Sequence, residues 1–368
     1  EIGSGLVGSE MCIRDSNIFF YCLLLLLQYN KSMEVLMNHS KLQDMKRNHL
    51  YMILNELYLN DNATINELIE KTDLSQPSIR NMLRSLQKQN IIHEIGCDFS
   101  TGGRCPTRFA LNTDKFHLLC IFIQNHIAHV HIIYNKQEQA HFHIDYQVEV
   151  DLIKQIQHII QQYSIHCCVL SVEGIVQDLT YITDHFNSLE KHSWVQTLKD
   201  SIDIPVCLQN DVKAMHYGQY LNHPVTPSFY LHINELGIGG SYMAHNELLN
   251  GQNGISGEIG LIPYNGKPLN LAIRECRHQE QFNELLRFLL TIIISTYDPA
   301  FIHISIDNQW NTESLTLKDY LLHLFPLKIE NQIIYHQEFM NLMFDGLQYI
   351  GIQCLLNKIC LLYTSDAA

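Results

Sequence analysis

Residues 64–112 read TINELIEKTDLSQPSIRNMLRSLQKQNIIHEIGCDFSTGGRCPTRFALN, and their order of caps, apolar periods and glycines decides the fold of the amino-terminal part. Thr64-Ile65-Asn66-Glu67 has capping-box spacing, in which the Thr hydroxyl and the Glu carboxylate each satisfy a backbone N–H. A short helix therefore starts there, with Leu68 and Ile69 inward. After a turn at Thr72-Asp73-Leu74, Ser75 is a good N-cap and Pro77 falls in the first helical turn, where its missing N–H costs nothing. A second helix starts at Gln76. Within it Ile79, Met82, Leu83 and Leu86 recur at the helical period and form the core face.

The opposite face holds Ser75, Gln76, Ser78, Arg80, Asn81, Arg84 and Lys88. Amides and guanidinium groups reach base edges and phosphates together, as a recognition helix in a DNA major groove requires. A plain solvated face has the same composition, and the segment downstream of the helix separates the two. Ile91 to Ile95 reads as a strand, Ser100-Thr101-Gly102-Gly103 as a turn, and Arg108 to Leu111 as a return strand with Phe109 and Leu111 on one face. This is a helix-turn-helix with a wing. The glycines at its tip allow close backbone approach to DNA, with Arg104 as the inserted cation. Upstream, Leu50, Ile53, Leu54 and Leu57 give the buried stripe of a first helix, roughly Lys46 to Leu59, ended by Asn60-Asp61-Asn62.

LSQPSIRNMLRSL followed by STGGRCPTRFALN resembles the DNA-binding domain of the ROK family (repressors, open reading frames and sugar kinases), in its xylose-repressor and N-acetylglucosamine-repressor branch. The resemblance implies an α/β protein: an amino-terminal winged helix-turn-helix, then an actin-like, sugar-kinase-like body of two α/β subdomains with a cleft between them. From Leu118 the residues agree. Leu118 to Ile123 and Ile127 to Tyr134 read as a hairpin, a third strand runs through Ala140 to Val150, and a helix at Leu152 to Tyr163 precedes a buried strand at Cys167 to Val172. Apolar helices occupy Asn283 to Ser295 and Tyr349 to Leu356.

By the same resemblance, Asn210-Asp211 matches a Glu-Asn-Asp motif with Gln209 in place of Glu, Gly257-Glu258-Ile259-Gly260 matches the family signature, and Asn187 matches an Asn that faces sugar. The implied sugar-binding set is Asn187, Asn210, Asp211 and Glu258. Ser171-Val172-Glu173-Gly174-Ile175-Val176 resembles a Val-Pro-Gly-Ile-Val turn with Glu173 replacing Pro. The kinase parts depart from the pattern. Phe122 stands where the metal-holding Asp is expected and Gln124 where a phosphate-turn Gly is expected. The glycines expected after the strand at Phe301 are replaced by Asp307-Asn308. No catalytic residue and no cofactor are expected. Leu261 replaces a zinc-binding His and only Cys276 stands near it, so no family-type zinc is expected.

Composition fits this picture. The chain carries a net charge of −14, yet Met37 to Asn112 holds nine basic against eight acidic residues, so the acidity lies outside the DNA reader. Eleven Cys without C-x-x-C spacing give neither a disulfide framework nor a zinc knuckle and fit a reducing cytoplasm. His126, His129, His131, His141 and His143 read as solvated histidines, because no carboxylate or thiol stands at ligand spacing. Glu1 to Ser16 and residues 360–368 resemble sequencing-adapter read-through, and Ile18 to Leu27 is shorter than the roughly 20 apolar residues of a membrane span. The expected domains are therefore 1–36 as upstream sequence with Met33 or Met37 as the start, 37–114 as the DNA reader, 115–359 as the body, and 360–368 as artefact.

The resulting expectation is a cytoplasmic transcriptional regulator of carbohydrate, in particular xylose, genes. It acts as a repressor at an inverted-repeat duplex operator, as a homodimer or higher homo-oligomer, with a monosaccharide as effector and no membrane partner. Two rivals are a ROK sugar kinase with an accessory DNA-binding domain, and a ligand-free oligomerisation scaffold fused to a DNA reader.

Overall fold

The computed structural model describes residues 43–97, 105–134, 136–185, 188–235, 237–306, 310, 317–325 and 332–365. They group into two units, one reaching to Leu111 and taking in the chain from Leu356, the other spanning Asn112–Leu355.

In the first unit, helix α1 covers residues 43–59 and buries Leu50, Ile53, Leu54 and Leu57. A two-residue strand, β1 (Ala63–Thr64), leads into α2 (Ile65–Thr72), whose capping box forms as the sequence dictates. The Thr64 N–H donates to Glu67 Oε2 at 2.7 Å and the Glu67 N–H donates to Thr64 Oγ1 at 3.3 Å. Asp73, left-handed at φ 55°, ends that helix, and Ser75 caps α3 (Gln76–Lys88) by accepting from the Ser78 N–H. Ile79, Leu83 and Leu86 are fully buried while Met82 is half-buried. Strands β2 (Ile92–Cys97) and β3 (Thr107–Leu111) pair antiparallel, and β3 also pairs with β1, giving the sheet order β1-β3-β2. Arg108 on β3 donates to Glu67 Oε1 at 3.0 Å and to Asn62 Oδ1 at 2.8 Å, which ties the wing to the start of α2. The wing tip, with Arg104, lies outside the described residues.

The second unit holds two five-stranded sheets built to one plan. In the first, β4 (Leu118–Gln124), β5 (Ile127–Tyr134) and β6 (Gln137–Asp145) form an antiparallel meander. Helix α4 (Glu149–Gln162) then crosses over to β7 (Cys167–Val172), parallel to β4. The small strands β8 (Ile175–Gln177), β9 (Thr180–His185) and β10 (Ser188–His192) come next, with α5 (Trp194–Asp200), before β11 (Val206–Asn210) completes the order β11-β7-β4-β5-β6. The β4–β5 turn places Asn125 and His126 at φ 51° and 62°, the paired left-handed conformation of a tight hairpin whose twist suits the strands. The third strand ends at Asp145 rather than running to Val150, because Val148 and Val150 are exposed and the chain has already entered the first turn of α4.

Helix α6 (Asp211–Asn222) leads to the second sheet. Strands β12 (Ser228–Ile233), β13 (Ile238–Ala244) and β14 (Glu247–Leu248) repeat the meander. The ribbon β15 (Pro263–Tyr264) and β16 (Lys267–Pro268) and helices α7 (Leu269–Arg274) and α8 (Gln279–Tyr297) precede β17 (Phe301–Ile306), which is parallel to β12. After α9 (Leu317–Leu324), β18 (Ile333–His336) closes the order β14-β13-β12-β17-β18, and α10 (Phe339–Ser365) ends the fold. Each sheet has its own apolar core, one around Ile121, Val130 and Leu170, the other around Phe229, Phe282 and Leu286.

Of the histidines of β5 and β6, His141 and His143 are exposed as expected, whereas His129 and His131 are half-buried. The register does set His131 opposite His141 and His129 opposite His143. A carboxylate joins the first pair, since Glu138 accepts from His131 Nδ1 at 2.6 Å and from His141 Nδ1 at 2.5 Å. Counting along one strand misses a partner that a register shift after Ile132 brings alongside.

Three other histidines are buried and neutral. His216 meets hydroxyls on both sides, Ser241 Oγ at 3.0 Å and Ser228 Oγ at 2.9 Å, and His232 meets Ser305 Oγ at 2.7 Å. Burial pushes His216 and His303 down to about 3 and His232 down to about 4. The unfolded chain protonates all three below pH about 6.5, so it binds more protons than the fold and stability drops as pH falls from there toward 4. Burial raises the carboxyls of Asp211 and Glu258, which acts in the opposite sense. His129, His131 and His336 are also held down by burial and Asp345 is raised, so the lowered imidazoles outnumber the raised carboxyls and the net effect is a loss of stability as pH falls. Urea unfolding of the second unit is therefore expected to show a lower midpoint at pH 5 than at pH 7, with a shallower decline in His216→Gln. A midpoint independent of pH would contradict this account of the buried imidazoles.

Candidate functional site

Two candidate sites emerge, one in each unit. On α3, Ser75, Gln76, Arg80, Asn81 and Arg84 are exposed and Ser78 is half-buried. The apolar face of the helix is spent on the core, so this polar face is presented outward by construction. Arg80 and Arg84 stand one helical turn apart and make no ion pair among the described residues, which leaves both guanidinium groups available to an anionic partner.

In the second unit a cavity of about 280 Å³ is lined from both sheets. It sits at the carboxyl ends of β7, β11 and β12, where an open α/β sheet leaves space for a ligand. Asn210, Asp211 and Glu258 all line it, as does Leu261. Asn187 lies outside the described residues. Asn210 ends β11 and caps α6, its Oδ1 accepting from the Lys213 N–H at 3.1 Å. Its two amide hydrogens go to Gly174 O at 3.0 Å and Asp211 Oδ1 at 2.9 Å. That amide is saturated from within, so Asn210 positions Asp211 and has no donor left for a ligand.

The electrostatics of the cavity are dominated by buried carboxyl groups. Burial, then the nearby Glu173 and Glu258, raise the Asp211 carboxyl well above its usual range. Burial also raises Glu258, against which Lys213 acts in the other direction. The Lys213 ammonium is itself pulled down by burial and reaches toward Gly254 O at 3.4 Å. Three carboxyl groups around one small cavity are good acceptors for hydroxyl groups, and a carboxyl kept protonated becomes a donor as well.

Several lining residues lie outside the set expected from sequence. Glu173 reads there only as a replacement for Pro, yet its Oε1 accepts from Gln124 Nε2 at 2.9 Å and from Asn234 Nδ2 at 3.3 Å. Gln124 is thus committed to holding a carboxylate. Asn270 Oδ1 accepts from the Ile238 N–H at 2.8 Å. It packs where a Cβ on Gly237 or Gly260 would lie 2.5 or 1.9 Å away, so these glycines are required by close approach. Gly257, at φ +98°, faces the Gly240 carbonyl, which would lie 1.9 Å from any Cβ, and this contact fixes the loop that carries Glu258. His232 and Arg274 also face the cavity.

Phe122 occupies the position at which the resemblance leads one to expect a kinase Asp. Phe122 is buried on β4 and stacks on His129 with ring centroids 6.0 Å apart. Cys276 is half-buried, with its thiol toward Ala272 O at 3.5 Å. No helix among the described residues is long and apolar enough to cross a membrane.

Comparison with known proteins agrees with both halves. The ROK family pattern matches residues 127–281, and a winged helix-turn-helix DNA-binding pattern matches residues 47–93. The xylose repressor of Bacillus spizizenii is 25% identical over 250 residues, a match covering 61% of this chain and 63% of that protein. The chain thus spans somewhat less than two thirds of the repressor's length. Among solved structures, a ROK family transcriptional regulator, a homolog of the E. coli MLC protein, superposes with a TM-score of 0.64 at 14% identity, covering 85% of this chain and 98% of that one. A Listeria monocytogenes protein assigned as an N-acetylmannosamine kinase superposes with a TM-score of 0.51 at 14% identity, covering 64% and 99%. These two likenesses are of fold. Taken with the sheet plan and the cavity, the matched patterns mean that this chain carries a ROK family domain behind an amino-terminal winged helix-turn-helix.

Proposed function

We propose that this protein is a cytoplasmic, sequence-specific DNA-binding transcriptional repressor whose ROK body takes a monosaccharide and joins two copies of the chain. The observation that carries this reading is the exposed Gln76, Arg80, Asn81 and Arg84 face on the second helix of a winged helix-turn-helix. A two-fold assembly reads two half-sites about one DNA turn apart, so an inverted repeat is the expected operator. The name of the Bacillus relative makes D-xylose the first effector to test, with other pentoses and hexoses beside it. In the cavity Asp211, Glu258 and Glu173 would accept sugar hydroxyls, with Asn210 holding Asp211 in place. Asn187 and Arg104 keep the roles expected from sequence, on sugar and on DNA.

Selection of bound duplexes from a random pool by the full chain is expected to enrich one inverted repeat. Failure to enrich any sequence at low salt would overturn the proposal.

The body is proposed to be non-catalytic. Support comes from the buried Phe122 and from the commitment of Gln124 to Glu173, which leave that hairpin without a metal ligand or a glycine turn for phosphate. Purified protein with MgATP and a panel of hexoses and pentoses is expected to form no ADP above the sugar-free rate. Sugar-dependent ADP formation would return the kinase reading.

A further inference from the structure

The body also brings together three thiols that neither the cavity nor the DNA reader uses. Cys167 on β7, Cys207 on β11 and Cys354 on α10 place their sulfur atoms within 4.8 Å of one another. The sheet register explains why. Cys207 pairs with Val169, two residues after Cys167, so Cys167, Val169 and Cys207 share one face of the first sheet. That face is covered by α10, and Gly351 lets the helix come close, since a Cβ there would lie 2.8 Å from Val169 Cγ2 and 3.1 Å from Leu118 Cδ2. One turn after Gly351, Cys354 meets the two strand thiols. Cys167 is buried while Cys207 and Cys354 are half-buried, which leaves a path for a small ion.

We infer that Cys167, Cys207 and Cys354 form a trigonal site for a soft monovalent metal ion, with Cu(I) as the fitting cation. Bonds of about 2.3 Å from a central ion to three sulfurs put those sulfurs about 4.0 Å apart, inside the observed spread. The ligand chemistry selects the ion. Thiolates favour Cu(I) and zinc, but structural zinc takes four ligands, and the group that closes within this distance among the described residues holds only three thiols. Binding replaces the thiol protons, which pass to solvent, and fixes β7, β11 and α10 to one another.

The test uses the full reduced chain without oxygen, titrated with Cu(I) buffered by bicinchoninate, against Cys354→Ser and Cys207→Ser. Both substitutions are at half-buried positions, so at least one folded variant is expected. Wild type should take one tightly held ion, and each variant should hold it at least 100-fold less tightly. One equivalent of Cu(I) should protect Cys207 and Cys354 from iodoacetamide in peptide mass mapping. Equal Cu(I) affinity in wild type and a folded variant, or unchanged alkylation of both cysteines, would overturn the site. So would preferential retention of Zn(II) over Cu(I) by the wild-type cluster.

Discussion

Replacing Arg80 and Arg84 together by Ala is expected to weaken binding to the selected operator at least about 30-fold, because each guanidinium contact to a base edge is worth about 1–3 kcal/mol. The thermal midpoint should not move. Both side chains are exposed and belong to no ion pair among the described residues, so their removal costs the fold nothing beyond a small propensity term. Fluorescence anisotropy with the operator and with a scrambled duplex separates two roles. A base-reading Arg lowers affinity for the operator more than for the scramble, while a phosphate contact lowers both and flattens the salt dependence. A change below threefold on the operator would remove α3 from the interface.

Asp211→Ala is expected to abolish sugar binding while leaving the ligand-free fold at least as stable. At 100 times its dissociation constant a sugar stabilises the wild type by about 2.7 kcal/mol, and the variant should gain none of this. The unliganded effect is electrostatic. Asp211 is buried, and both its burial and its neighbours Glu173 and Glu258 disfavour its charge, so truncation relieves that cost while giving up the bond from Asn210 and the backbone N–H bonds from Val212 and Asp211. Glu258→Gln should be milder, since Lys213 partly compensates that carboxylate and the amide still accepts a hydroxyl. Thermal shift with and without D-xylose, followed by other monosaccharides, reads both quantities. A variant that keeps the full shift would show that Asp211 does not touch the ligand.

The DNA reader is legible in the sequence because its signals are local. Thr64, Glu67, Ser75 and Pro77 act within one helical turn, and the apolar stripes of residues 50–57 and 79–86 need only the helical period. The cavity is half legible. Asn210, Asp211 and Glu258 come from motif resemblance, and all three line it. What motif does not supply is which of them is free. The saturated amide of Asn210 depends on Gly174, 36 positions upstream. Glu173 gains its role from Gln124 and Asn234, 49 and 61 positions away, and strand ends converge in a way that no spacing rule records. The cysteine cluster escapes a sequence reading for the same reason. Its members are far apart in the chain and become neighbours only through parallel pairing of β7 with β11 beneath α10. Local errors have local causes, as at Val148 and Val150, where a β-branched run continues into the exposed first turn of a helix.

If the body senses sugar on behalf of the DNA reader, the two binding events must be thermodynamically linked, and linkage is reciprocal. The most direct measurement is calorimetric titration of D-xylose, or the sugar that proves to bind, into the full chain alone and into the chain saturated with its selected operator. The account predicts sugar affinity at least fivefold lower on the operator complex, a coupling of about 1 kcal/mol, matched by an equal loss of operator affinity in saturating sugar. Equal sugar affinities in the two titrations would contradict it and leave a DNA reader joined to a body that does not report to it.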